Sequence, residues 1–104
     1  MPGVARIGDS GSFGDTIAVG SGDVFPNNIP TARLGDLSMG HTPSGHGFYP
    51  PVPIIEGSGS VFVNNLPIAR LGDKFLTHQD PPHNSSHPHQ DVISSASNDV
   101  FADS

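Results

Sequence analysis

An internal repeat is the feature that most constrains how this chain folds. Residues 17–36 read IAVGSGDVFPNNIPTARLGD, and residues 54–73 read IIEGSGSVFVNNLPIARLGD. Fourteen of these twenty positions are identical, at a spacing of 37 residues. A fixed period of this kind indicates a repeated supersecondary unit whose copies pack against one another. The chain is therefore expected to build one structure from several copies of a short unit.

Each unit reads as a β-hairpin. Ser60–Val63 is a short run of β-branched and aromatic residues, which is typical of a strand. Asn64 and Asn65 both tolerate the positive φ that a two-residue turn demands, and residues 66–70 return as the second strand. Because Pro67 cannot donate a ladder hydrogen bond, this second strand should lie at an edge or against irregular backbone.

A third unit is divided between the two ends of the chain. Residues 2–9 match the second half of a unit, and residues 93–101 match the first half. Joining these two halves closes a pseudo-threefold ring of three hairpins, which hides strand edges that an open arrangement would expose. The prediction is a single all-β domain over residues 1–104, with units at about 16–36, 54–73 and 92–104 plus 2–9.

The composition predicts that such a domain needs a source of stability besides its hydrophobic core. Only 34% of the residues are hydrophobic, and the chain has 13 Gly, 11 Pro and no Cys. Ordering the backbone costs about 1–2 kcal/mol per residue, which a small core struggles to offset. Since disulfides are excluded, a metal or a partner chain is expected to supply the missing stability. Disorder is the other reading of this composition, and the repeats count against it.

Charge and hydropathy exclude two classes of function. The net charge is −6 with only four basic residues, so there is no basic patch for nucleic acid. No apolar run approaches the roughly 20 residues of a membrane span, and the N-terminus lacks the apolar stretch of a secretory signal. We expect a soluble protein that is made in the cytoplasm.

Three copies of a short motif make the chain resemble PAAR-repeat proteins. Two copies read Pro-x-Ala-Arg and the third is the looser Pro-Gly-Val-Ala-Arg; the motif residues are Pro2, Ala5, Arg6, Pro30, Ala32, Arg33, Pro67, Ala69 and Arg70. The flanking Gly-Ser-x-x-Val-Phe and Gly-Asp elements also match the family, and the resemblance spans nearly the whole chain. It implies a cone-shaped β domain whose base docks on a trimeric β-helical spike and whose apex carries a metal.

The resemblance also implies a role and a partner. Tips of this kind occur in type VI secretion systems and in contractile-tail phages, where they cap and sharpen a membrane-puncturing spike without catalysing a reaction. One copy would sit on each spike trimer, touch the target membrane transiently and be a monomer when free. A phage tail tip is favoured over a secretion-system tip, because the chain ends with its last repeat strand and residues 44–51 resemble the connector of phage-type members.

The base is predicted to form from the first strands of the three hairpins. A trimeric β-helix ends in three equivalent strand edges, and three hairpins offer one complementary surface to each. The phenylalanines of these strands could instead form the small internal core, and the sequence leaves both readings open. The predicted base residues are Val24, Phe25, Val61, Phe62, Val63, Val100 and Phe101.

One arginine recurs in every unit, three residues before an aspartate. The pairs are Arg6–Asp9, Arg33–Asp36 and Arg70–Asp73. Each arginine could meet an acidic or carbonyl group on the spike, or it could fix its own turn by pairing with the nearby aspartate. The second reading is favoured, because a repeated and partly buried pair sets register.

All six histidines lie outside the hairpins. We name residues 10–15 the first connector, residues 37–53 the second connector and residues 74–92 the third connector; the histidines occupy only the second and third. The connectors of a closed ring gather at one end, so their imidazoles can converge on one ion.

The family pattern guides the choice of ligands. This chain has no cysteine and has Phe13 where many members carry a histidine, which implies an all-histidine site. One structural metal ion is expected, zinc first and iron as the alternative. The predicted ligands are His46, His78, His83 and His89, with His41 and His87 in reserve.

Catalysis has little support in the sequence. Glu56 is the only glutamate, and no glycine-rich phosphate loop is present. The alternative function is a metal-stabilised tail-tip module that recognises a cell-surface glycan, for which Phe48 and Tyr49 are the candidate aromatic residues.

Overall fold

The computed structural model describes residues 2–12, 14–40, 50–79 and 88–102. Regular structure in these ranges is short, and most of the backbone pairing consists of isolated antiparallel bridges. None of the helix there is long and apolar enough to cross a membrane. The short strands and bridges are compatible with the predicted all-β class. The elements are a 3₁₀ helix at Pro26–Asn28 and the strands β1 (Phe62–Val63), β2 (Leu66–Pro67), β3 (His78–Gln79) and β4 (Pro88–His89).

Strands β1 and β2 form a tight antiparallel hairpin. Phe62 pairs with Pro67 and Val63 with Leu66, so two residues make the turn. Asn64 and Asn65 occupy that turn with φ values of 53° and 67°. Asparagine tolerates this left-handed conformation better than other residues that carry a side chain, which explains the pair of asparagines at this point.

The unit at 17–36 makes the same turn without paired strands. Asn27 and Asn28 also have positive φ, at 56° and 63°, but the segment closes as the 3₁₀ helix. Pro26 stands where Val63 stands in the other unit, and proline has no N–H to complete the strand pair. Ile29 still donates to the Pro26 carbonyl at 3.1 Å. The prediction of a two-stranded hairpin is therefore wrong for this unit.

Three buried alanines join the repeats at the centre of the fold. The N–H of Ala5 donates to Ala69 at 3.0 Å, that of Ala69 to Ala32 at 3.0 Å, and that of Ala32 to Ala5 at 2.9 Å. These bonds close a cycle of three, and all three residues are fully buried. Each alanine has its buried N–H and C=O satisfied by the other two, as an interior backbone requires.

The main hydrophobic cluster surrounds this cycle. Ile17, Ile54 and Ile93 hold the same position in the three units, and each is at most 1% exposed. Burying one isoleucine side chain stabilises a fold by about 1.5–3 kcal/mol, so the three together are a large contribution for a small domain. The cluster consists of Ala5, Ile17, Ala32, Val52, Ile54, Ala69, Phe75 and Ile93.

The two ends of the chain meet in the split unit. The N–H of Val4 donates to the Val100 carbonyl at 2.9 Å, and that of Ala102 donates to Pro2 at 3.1 Å. Ile68 makes the equivalent bond to Val61, also at 2.9 Å. The noncovalent junction thus reproduces the hydrogen bonding of the continuous hairpin.

The connectors lie next to one another around the core. The N–H of a residue early in each connector donates at 2.8–2.9 Å to a carbonyl at the end of another connector or just beyond it. The bonds run from Ser12 to Val92, from Met39 to Thr16, and from Leu76 to Pro53. The first connector closes on itself, because Gly11 donates to Asp15 and Gly14 donates to Gly11. The histidine-bearing connectors therefore begin as neighbours.

A glycine with positive φ turns the chain after each arginine. Asp36 donates its N–H to the Arg33 carbonyl at 3.0 Å, and Gly35 between them has φ of 89°. This is a four-residue turn whose third position requires φ above zero, and glycine adopts it without steric cost. Gly8 and Gly72 repeat it at 91° and 93°.

Replacing Gly35 by alanine should isolate the cost of this backbone conformation. No atom lies within 4 Å of a Cβ built on Gly35 or on Gly22, and only Gly35 has positive φ. We expect Gly35→Ala to lower the free energy of unfolding by about 1 kcal/mol, whereas Gly22→Ala should change it little. Urea unfolding of both variants measures the difference. Equal stabilities would show that the turn imposes no conformational demand.

Candidate functional site

The three phenylalanines of the predicted base point to solvent. Phe25, Phe62 and Phe101 are 49%, 55% and 47% exposed. They occupy the same position in the three units. A single exposed apolar residue is common in proteins. The same exposure at three equivalent positions indicates an interaction surface. Of the two readings that the sequence left open, the structure favours the surface over the internal core.

The valines of the same strands divide between this surface and the interior. Val24 and Val100 are about two-fifths exposed, and Val61 is half-buried. Val63 is only 6% exposed and packs in a second cluster with Val4, Ile68 and Ala102. Val63 therefore belongs to the interior and not to the predicted exposed surface. We call Phe25, Phe62 and Phe101, with Val24 and Val100, the base face.

Each arginine of the motif is fixed within its own turn. In the unit at 17–36, the Asp36 carboxylate accepts hydrogen bonds from the backbone N–H of Arg33 at 2.8 Å and from its Nε and Nη2 at 2.9 Å. The pairs Arg6–Asp9 and Arg70–Asp73 repeat this geometry. The structure confirms the favoured interpretation, in which each arginine forms an ion pair with the aspartate of its own turn.

Hydrogen bonding keeps the guanidinium groups charged. The side-chain hydrogen bond to Asp36 raises the pKa of Arg33 above its usual value, although burial opposes the rise. The pKa values of Arg6 and Arg70 are raised in the same way by Asp9 and Asp73. A raised pKa favours the protonated guanidinium, so each arginine stays charged and able to bind its aspartate throughout the physiological range.

The arginines also connect one unit to the turn of the next. Nη1 of Arg33 donates to Oδ1 of Asn64 at 3.1 Å, and the same oxygen accepts from the Ser21 hydroxyl at 2.7 Å. Nδ2 of Asn64 then donates to Asp23 at 3.0 Å. Arg6, Ser97 and Asp99 contact Asn27 in the same manner.

Sequence reasoning assigned these asparagines to the turn alone. Their side chains also link neighbouring units beside the base face. The signal that could have revealed this is the serine that recurs before each first strand, in Gly20-Ser21, Gly57-Ser58 and Ala96-Ser97. Ser21, Ser58 and Ser97 are 1%, 1% and 4% exposed, and each hydroxyl accepts backbone N–H bonds from the residues two and three positions later.

Two of the predicted metal ligands are backbone partners. Strands β3 and β4 pair antiparallel, with His78 opposite His89. His46 and His83, and the reserve residues His41 and His87, lie outside the described residues. Within the described ranges there is no group of three or more His, Asp or Glu side chains that could hold an ion. The structure therefore brings His78 and His89 together and leaves the other four untested.

A β-bulge carries this histidine pair. Phe75 donates its N–H to the Asp91 carbonyl at 3.0 Å, and His78 pairs with His89, so two residues on one arm face only Gln90 on the other. The Gln90 side-chain amide donates to the Phe75 carbonyl at 2.9 Å within the bulge. A bulge of this kind bends a strand and redirects its side chains, and bulges are frequent beside functional sites.

Comparison with known proteins identifies the family to which the repeats correspond. A family model described as PAAR motif matches residues 7–81, which is more than half of the chain. A search of curated proteins finds no match. Proteins with this motif have a structural role at the tip of contractile injection systems.

Removing the carboxylate of Asp36 should destabilise the fold. Asp36→Ala leaves the half-buried Arg33 guanidinium without its partner, and we expect the free energy of unfolding to fall by about 2 kcal/mol. The matched control is Asp23→Ala, because Asp23 is exposed and bonds the side chain of Asn64. That variant should change stability by less than about 0.5 kcal/mol. Chemical denaturation measures both, and equal losses would contradict a structural role specific to the Arg33–Asp36 pair.

Proposed function

The chain belongs to the PAAR motif family, and we propose that it is the non-enzymatic tip that caps and sharpens a trimeric β-helical spike. The spike would belong to a contractile phage tail or to a type VI secretion system. The observation that carries the proposal is the base face, in which three equivalent phenylalanines are about half exposed. A monomer with three matching contacts suits a partner with threefold symmetry.

We infer that the domain is a pseudo-threefold cone. The cycle of bonds through Ala5, Ala32 and Ala69 supports this, because each alanine has the same role toward the next. The three Arg–Asp turns and the three buried isoleucines support it further. In this arrangement the base face and the histidine-bearing connectors would occupy opposite ends, with the histidines at the apex.

Docking would combine burial of apolar surface with capping of strand edges. The end of a β-helix leaves backbone N–H and C=O groups that need partners, and a matching strand can supply them. Each of the three contacts is small, but contacts made at the same time reinforce one another. One copy of this chain would therefore suffice for each spike trimer. The tip would meet the target membrane only during puncture.

A metal ion would fasten the apex. We propose zinc, held by His46, His78, His83 and His89, with His41 and His87 as substitutes and iron as the alternative metal. The donor set fits such an ion, since neutral imidazoles bind zinc and iron. The backbone register, in which His78 pairs with His89, supports including both residues in the ligand set. When bound, a structural zinc contributes on the order of 10 kcal/mol to folding. Bound to the ion, these histidines would hold the second and third connectors together at a rigid point.

Replacing Phe62 should weaken docking without unfolding the domain. Phe62→Ala removes an exposed ring from one third of the base face, and we expect the affinity for a purified trimeric β-helical spike fragment of the same contractile system to fall at least tenfold. The melting temperature of the free domain should stay close to that of the original protein, because the ring is 55% exposed. Calorimetry of binding and a thermal melt measure the two effects.

The control for Phe62 is an exposed apolar residue of the second connector. Leu37 is 43% exposed and pairs with Pro53, so Leu37→Ala should leave spike affinity unchanged. Equal affinities for the original protein, Phe62→Ala and Leu37→Ala would contradict the assignment of the base face.

Removing His89 should release the metal. We expect the purified domain to carry one equivalent of zinc or iron, and His89→Ala to retain much less because one of four ligands is lost. The control is Gln79→Ala, which changes a neighbouring position of the same strand pair without removing an imidazole. Elemental analysis measures the metal content. A His89→Ala variant with a full equivalent would remove His89 from the ligand set.

Acid should have the same effect as ligand removal. Ligation requires neutral imidazole, so stability that the metal supplies is present at pH 8 and is lost as the pH falls below about 6.5. The melting temperature should therefore be lower at pH 5 than at pH 8, and a chelator should abolish most of the difference. An equal melting temperature at both pH values would exclude the metal as the staple of the domain.

A further inference from the structure

Two aspartates are buried beside the histidine-bearing connectors. Asp15 is 1% exposed and Asp91 is fully buried. They precede Ile17 and Ile93 by two residues, and the same position before Ile54 holds Val52, which is 6% exposed. Since one unit fills this position with an apolar side chain, the fold itself does not require a carboxylate there. Burying a charged group is costly, so its presence in two units calls for another reason.

The carboxylate of Asp15 holds the start of the segment that contains His41 and His46. Its Oδ1 accepts hydrogen bonds from the N–H of Gly40 at 3.0 Å and of Thr16 at 2.9 Å. Gly40 immediately precedes His41 in the second connector. Asp15, which ends the first connector, therefore fixes the point from which this part of the second connector departs.

The carboxylate of Asp91 joins the third connector to the same point. Its Oδ2 accepts a hydrogen bond from the N–H of Asp15 at 3.2 Å. Asp91 follows His89 by two residues, and its carbonyl holds Phe75 below the bulge. Gly11 leaves room for the Asp91 side chain, because a Cβ on Gly11 would overlap the Asp91 carboxylate. One chain of hydrogen bonds thus runs from Gly40 through Asp15 to Asp91.

We propose that Asp15 and Asp91 are positioning residues of the apical metal site. They would set the spacing of the two histidine-bearing connectors, and their two negative charges would complement a divalent ion on neutral imidazoles. Groups outside the ligand set that hold metal ligands in position commonly contribute 10–100-fold to metal affinity. This inference rests on the proposed function, since it presupposes that the histidines bind a metal.

Two substitutions of Asp15 separate its contributions. Asp15→Val copies Val52 and removes both the hydrogen bonds and the charge, whereas Asp15→Asn keeps an oxygen that can accept from Gly40 and Thr16. The readout is the affinity of the full chain for Zn²⁺ in competition with a chromophoric chelator, beside the melting temperature of the metal-free protein. We expect a 10–100-fold loss of affinity for Asp15→Val and a smaller loss for Asp15→Asn. The metal-free melting temperature should fall for Asp15→Val, because the N–H groups of Gly40 and Thr16 lose this acceptor, and should stay close to the original for Asp15→Asn.

The matched control is Asp23→Val, which removes one negative charge from an exposed position. It should leave Zn²⁺ affinity unchanged. If the original protein binds Zn²⁺ and the Asp15 variants bind it equally well, this inference is overturned while the metal site stands. A metal-free melting temperature that falls in Asp15→Val with unchanged affinity would also overturn it, as a purely structural role predicts. An original protein that binds no metal would overturn the proposed apical site itself. If Asp15→Val does not fold, the Zn²⁺ affinity of Asp15→Asn tests the inference alone.

Discussion

The fold depends on three backbone hydrogen bonds that close on themselves. Ala5, Ala32 and Ala69 each donate to one of the others and accept from another, in full burial. A cycle of three equal bonds requires three similar approaches of the backbone, which agrees with the recurrence of a β-branched residue before each alanine and an arginine after it. It also explains the alanines, since larger side chains at a point where three segments converge would force the backbones apart.

Closing the ring in this way leaves little room for an ordinary core. The hydrophobic clusters are small and contain four alanines, so polar interactions take over part of the structural role. The Arg–Asp pairs each bind a turn through several charge-assisted hydrogen bonds, which are stronger than neutral ones. In two units the arginine also contacts an asparagine of the next turn, so the same side chain stabilises a turn and joins it to its neighbour. Beside these contacts the phenylalanines remain exposed, and in the proposed function they would form the surface that docks on the spike.

The repeat made much of the fold predictable, because its identical positions are the ones that the backbone geometry requires. Asn64–Asn65 specified the hairpin, and each Gly-Asp specified a turn with positive φ. The loss of strand pairing at Pro26 was readable from the missing N–H, but only once the register was known. The direction in which the three phenylalanines point could not be predicted, because period-two alternation over two or three residues fits either face of a strand.

The candidate sites were less predictable than the fold. Spacing placed His78 and His89 in one connector, whereas their opposition depends on a bulge that no local pattern announces. Asp15 and Asp91 were invisible as partners because 76 residues separate them, and their closeness follows from the ring. Long-range pairs of this kind depend on the closed topology rather than on local preference, so they emerge only when the three units are assembled.

The central claim is that one chain with three equivalent faces meets one threefold partner. Native mass spectrometry of the domain mixed with a trimeric β-helical spike fragment of the same contractile system tests it most directly. The account predicts a single complex of one chain with three spike chains, and no further binding when the domain is in excess. A complex with three copies of the domain per trimer, or no complex at all, would contradict it.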